Sequence, residues 1–169
     1  MNKYIVIFTI FISFLFPSLQ VQAGTSEVNW VNPDKYRDIN SGNEPKTKYR
    51  ERVFKDFEKH FAKMASELPD GHKLAVTVTD VDLAGDVNAG GIDRLRIVTD
   101  LYFPRLKFTY ELFDENGSKV KAGGTNLKDM NFLMGSNMRY RNKSLGYEKR
   151  MLDRWFNNTF ENVVVKVNS

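Results

Sequence analysis

From residue 73 to residue 112 the chain twice alternates apolar with polar residues, first in KLAVTVTDVDL and again in RLKFTYEL. This two-residue period constrains the fold most, because strict alternation builds a half-buried strand and fits no helix. In the first run Leu74, Val76 and Val78 share one face, and the apolar set then shifts to Val81 and Leu83. A phase change of one residue predicts either a bulge near Asp80 or the strand's end there. Residues 92–102 read as a second strand region with Leu95 and Ile97 in phase, interrupted by Pro104. In the next strand Leu106, Phe108, Tyr110 and Leu112 point inward, up to the turn Asp114-Glu115-Asn116-Gly117. Asn-Gly at that tip predicts a hairpin, returning as a shorter strand over 119–124.

Helical periodicity brackets these strands. Tyr49, Val53, Phe57, Phe61, Met64 and Leu68 recur at steps of three and four, which predicts an amphipathic helix from Thr47, as N-cap, to Leu68. Its other side carries Lys48, Arg52, Lys55, Lys59 and Lys63, read as a solvated basic back. A second helix is expected over 144–160, with Leu145, Leu152, Trp155 and Phe156 as its stripe. Residues 126–134 read as a short helix capped by Asn126, and 163–167 as a last strand. The fold class is therefore α+β: a mostly antiparallel sheet of four or five strands with two amphipathic helices packed on one face. The alternative is a sandwich-like sheet with peripheral helices.

The chain opens as a secretory leader does. Lys3 is its short positive region, Ile5 to Leu19 its apolar run, and Val21-Gln22-Ala23 its small-residue cleavage site. Cleavage after Ala23 is expected, since the apolar run is shorter than the roughly 20 residues of a spanning helix; the alternative is an uncleaved anchor. The expected organisation is a leader over 1–23, an extended arm over 24–46 that can hold a short edge strand at EVNWVN, and one α+β domain over 47–169. Trp30 and Tyr36 are placed to tack the arm to the body. The chain has no Cys, which excludes a disulfide scaffold and thiol chemistry. The expected location is the periplasm, with no transmembrane segment after cleavage. A net charge of +4, one unit of it in the leader, is too small to argue for nucleic acid as a partner.

Two clusters carry candidate chemistry. Asp80, Asp82 and Asp86 lie in TDVDLAGDVNAGG, and carboxylates beside glycines can bind a hard divalent cation. The spacing does not match an EF-hand, and turn capping explains the same residues. Arg139, Tyr140, Arg141, Lys143, Lys149, Arg150 and Arg154, opposed only by Glu148 and Asp153, form a basic, aromatic cluster, suited to phosphate or carboxylate. The competing reading pairs this cluster with the aspartates inside the molecule. His60 and His72 read as ordinary surface histidines without metal spacing. There is no nucleophile elbow and no phosphate loop, and no cofactor is expected.

Together TVTDVDLAGD, RIVTDLYFPRLKFTYEL, NLKDMNFLMG and YEKRMLDRWFNNTF, after a leader and VNWVNPDKYRDI, resemble the bacterial domain-of-unknown-function family 3016. The resemblance runs from about Val28 to Phe160. It implies an exported proteobacterial protein and assigns no activity, so no residue role is carried over. It marks Asp80, Asp82, Asp86, Arg105, Asp129, Asn131, Arg139, Tyr140 and Arg150 as residues to follow. The preferred reading is a non-catalytic binding or envelope-assembly accessory protein, with another envelope protein or an anionic envelope ligand as partner. The alternatives are a metal-dependent hydrolase on Asp80, Asp82 and Asp86, and a peripheral membrane protein lying on its first helix.

Overall fold

The computed structural model describes residues 23–88, 94–134, 139–140 and 142–164. β1 (Thr25–Trp30) leads through a single 3-10 turn (Pro33–Lys35) to α1 (Lys46–Ala65) and β2 (Lys73–Asp82). The short strands β3 (Asp86–Val87) and β4 (Arg96–Ile97) pair with each other. β5 (Arg105–Phe113), β6 (Lys119–Lys128) and α2 (Gly146–Phe160) follow. The main sheet has the order β1-β2-β5-β6. The fold is α+β as expected, and the sheet is mixed: β1 runs parallel to β2, while the other two pairings are antiparallel. The parallel pairing follows from connectivity, because parallel neighbours need a long crossover, and α1 supplies it.

The shift in β2 is a bulge. The register with β5 steps between Val78 and Asp80, so Val81 returns to the face already held by Leu74, Val76 and Val78, all buried. The helices close on that same face. Phe108 of β5 meets Phe61 of α1 edge-on at 6.0 Å and Trp155 of α2 at 4.8 Å. Thr79, Lys107 and Thr109 are exposed on the opposite face. Trp30 stacks on Phe54 at 3.9 Å, and the Tyr36 hydroxyl donates to the Val78 carbonyl at 2.9 Å. So the polar segment before α1 is held by both aromatics, and its first part is an edge strand. The β5–β6 turn is the Asn-Gly hairpin: Asp114 Oδ1 accepts the N–H groups of Asn116 and Ser118, and Gly117 takes a φ of +76°.

Other expectations are corrected. β6 does not stop at residue 124: Leu127 pairs with Leu106 and the ladder reaches Lys128, so residues 126–128 are strand, and turns rather than a helix occupy 129–134. In-register partners on β5 override the local helical signal of Asn126. Within 92–102, among the described residues, only Arg96 and Ile97 pair as strand, and Leu95, Ile97 and Leu101 are exposed. That loop is held instead by Arg96, whose guanidinium donates to the Gly85 carbonyl at 2.6 Å and to Asp38 at 2.8 Å. Gly85, at φ +80°, has no room for a Cβ, which would lie 2.5 Å from the Ile97 carbonyl. Pro45 rather than Thr47 stands at the start of α1, and Leu145, left-handed at φ 52°, precedes α2. Val163 and Val164 form turns whose N–H groups return to the Phe160 carbonyl, and the rest of the expected last strand lies outside the described residues.

Phe108 sits where the two helices meet the sheet, so Phe108→Ala is expected to destabilise the domain by about 3–5 kcal/mol. Urea denaturation followed by tryptophan fluorescence reads this, and a loss below about 1 kcal/mol would show that the helices do not depend on this contact.

Candidate functional site

α1 presents Asp56, Lys59, His60 and Lys63 along one side, since steps of three and four residues stack on a helix. The first turns of α2 present Lys149 and Asp153 opposite them. Arg139, Tyr140 and Lys143 complete a hollow of about 160 Å³ between the helices. Tyr140 can come so close because Gly146 has no side chain: a Cβ there would lie 2.3 Å from the Tyr140 carbonyl oxygen.

His60 is buried, 8 % exposed, which corrects its reading as a surface residue. It lies on the border between the apolar and charged sides of α1, and the packing of α2 covers it. Its Nε2 is 2.8 Å from Asp153 Oδ1, and the Tyr140 hydroxyl donates to Asp153 Oδ2. Burial alone pushes the Asp153 carboxyl up, but His60 and Tyr140, with Lys63 nearby, together hold it below the ordinary carboxylate value. Burial and then the Asp153 carboxylate push the Tyr140 phenol up to about 12. Lys149 donates to Asp56 Oδ1 at 2.6 Å. Both carboxylates of the hollow are thus engaged by the protein itself. Five cations stand around it (Lys59, Lys63, Arg139, Lys143 and Lys149), and only Lys149 among them forms an ion pair among the described residues. Arg139 lies over the Tyr140 ring at 5.8 Å. Asp56 Oδ2 is buried without a hydrogen-bond partner among the described residues.

The other expected residues fall elsewhere. Arg150 donates to Asp129 Oδ2 at 2.9 Å and to the Phe132 carbonyl at 2.6 Å, and Arg154 donates to the same carboxylate. Asp129 is buried, so this group is a clamp holding the turn after β6 to α2. Asn131 is exposed in that turn, where its carbonyl accepts the Met134 N–H. Arg141 lies outside the described residues. Among the described residues the basic cluster forms no ion pair with the aspartates of β2. Arg37 reaches Asp80 at 3.5 Å and Asp82 at 3.7 Å, and Arg105 approaches Asp82 at 3.7 Å. The segment before α1 carries Arg37 beside the end of β2, so the aspartates have a nearer partner than α2 can offer. Burial pushes the Asp82 carboxyl up, against Arg105 and Arg37, and Asp38 and Asp80 push the same way as burial. Asp86 is exposed in β3 and accepts the Val87 N–H at 2.7 Å, apart from this arginine-paired group. Among the described residues no three His, Cys, Asp or Glu side chains are grouped to hold a metal ion.

Glu148, in the first turn of α2, was not singled out by the sequence. It is 3 % exposed, and its Oε1 accepts the Ala84 N–H at 2.7 Å, tying α2 to the loop after β2. Burial pushes its carboxyl up, against the Ala84 N–H, its own N–H and Arg96. Of the hollow itself, the sequence marked Arg139, Tyr140, Lys143 and Lys149 and noted Asp153 only as an opposing charge; it missed the part played by His60 and Asp56. Lys59 and Lys63 were visible as a basic back, but nothing local showed that it faces a second wall.

Fold and site define a two-layer α+β domain with a cation-rimmed hollow between its helices. The sequence matches the family described as protein of unknown function (DUF3016) over residues 24–158, and the chain belongs to that family. No curated protein and no solved structure matches the chain.

Glu148 gives a pH test of the buried tie. Its folded value lies above the ordinary 4.5, so the folded state holds the proton more tightly. Lowering the pH from neutral, through the folded value toward 4.5, is expected to stabilise the wild type relative to Glu148→Gln, with a constant difference below that. Thermal melts of both proteins across this window check it, and a pH-independent difference would remove the assignment.

Proposed function

We propose that this is an exported, non-catalytic binding protein that holds an anionic ligand, or an acidic segment of an envelope partner, in the hollow between α1 and α2. The observation that carries this reading is the charge balance. Five cations face the hollow, and its two carboxylates are already engaged, Asp56 by Lys149 and Asp153 by His60 and Tyr140. An incoming phosphate or carboxylate meets four cations, Lys59, Lys63, Arg139 and Lys143, that take no ion pair among the described residues, and hydrogen bonds between charged groups are the strong ones. Export rests on the leader pattern of residues 1–23. The hydrolase alternative has less support, since arginines hold Asp80 and Asp82 and Asp86 stands apart from them.

Calorimetry with pyrophosphate tests the reading. The chain from Gly24 is expected to bind it, and Lys63→Glu combined with Arg139→Glu to weaken binding by more than about tenfold. Both side chains are exposed, so the melting temperature should hold. No binding by the wild type, or equal binding by the variant, would remove the hollow as the site. The periplasmic fraction should contain a chain that begins at Gly24 by mass; an intact chain in the membrane fraction would support the uncleaved anchor instead.

A further inference from the structure

We infer that the hollow is one part of a longer trough, and that its ligand is a linear polyanion lying along α1 rather than a single small anion. This rests on the anion-binding reading above and adds the class of ligand. The first argument is continuity. The hollow shares Asp56 and Lys59 with an open depression of about 510 Å³ that follows α1 to Arg52 and Lys48. At its other end it shares Lys63, Arg139 and Asp153 with a further hollow of about 100 Å³ that reaches Glu67. Arg139, Tyr140, Lys143, Ser144 and the start of α2 stand opposite α1 along it.

The second argument is spacing. Lys48, Arg52, Lys55, Lys59 and Lys63 follow one another at steps of four, three, four and four residues and are all exposed. Neighbours at such steps lie about 5–6 Å apart, and at about 1.5 Å per residue the row spans about 22 Å. Among the described residues only Arg52 of these five takes an ion pair, with Glu44. Two carboxylates of the trough take no ion pair among the described residues, Glu51 in the open depression and Glu67 at the far end, while Lys149 holds Asp56. Four of the five are lysines, whose compact mobile charges suit repeated anionic groups better than one fixed bidentate acceptor.

The third argument sets a polymer against a bilayer. An interfacial helix must bury its apolar side in lipid, but Val53, Phe57, Phe61 and Met64 are buried in the protein core. None of the large exposed apolar side chains lies on α1. An open depression lined almost wholly by charged residues fits a chain-like anion.

The test titrates the chain from Gly24 with pyrophosphate and with long-chain inorganic polyphosphate, compared at equal phosphate concentration. The long chain is expected to bind about tenfold more tightly or better, with a steeper fall in affinity as salt rises. Lys48→Glu with Lys55→Glu, at the far end of the trough, should remove that advantage and leave pyrophosphate binding unchanged. Lys107→Glu with Lys128→Glu, on other exposed parts of the sheet, makes the same change in net charge and should leave both unchanged. Equal affinity for the two probes, or equal loss in the two double variants, overturns the trough while leaving the hollow. Failure to bind either probe overturns both readings. Binding to phosphatidylglycerol vesicles that exceeds binding to polyphosphate overturns the polymer in favour of a membrane surface.

Discussion

Both helices of this domain close on one side chain. Phe108, in the middle of β5, meets Phe61 of α1 and Trp155 of α2 edge-on, and Trp155 continues the aromatic cluster to Tyr110 and Phe160. Each such ring pair contributes about 0.5–1.5 kcal/mol beyond the area it buries. More important is the geometry: a ring touched edge-on from two sides fixes where each helix can lie. The spacing between α1 and α2 is set there, and with it the width of the hollow above.

Buried polar groups then fix the loops that the aromatic cluster cannot reach. Asp129 clamps the turn after β6 to α2 through Arg150 and Arg154. Glu148 ties the start of α2 to Ala84, and Arg96 gathers the Gly85 carbonyl with Asp38. Each lies at the end of the sheet where β2 stops, β5 starts and β6 runs into its turn. Removing one partner of such a pair strands the other away from water, so these ties hold position more than they add net stability. His60 and Asp153 belong to the same class, with the difference that Lys59, Lys63 and Lys143 around them take no ion pair among the described residues.

That difference separates structural charge from the charge we assign to a ligand. The aspartates at the end of β2 look like a cation site as a string of letters, yet Arg37 and Arg105 neutralise the first two of them. The basic residues of α1 look like an ordinary solvated back, yet a second wall turns part of that back into the side of a trough. Whether a charged residue is answered by its own chain is a property of the folded molecule.

The sequence by itself determined β2 and β5, the two helices and the hairpin, because each is written in local periodicity or turn chemistry: two-residue alternation, steps of three and four, and Asn-Gly at a tip; the phase shift near Asp80 became a bulge rather than a strand end only through pairing with β5. It also carried the family, through blocks of residues in order. It did not carry the parallel pairing of β1, because a short polar strand such as TSEVNW gains its place only when α1 folds across and offers it the edge of β2. It misread residues 126–128 for the same reason, since their partners lie across the hairpin on β5. Half of the hollow was legible, as Arg139, Tyr140, Lys143 and Lys149, because those residues lie close together in the chain. The other half joins His60 to Asp153 across more than ninety residues, and only the packing of α2 on α1 brings that imidazole and carboxylate together and buries them.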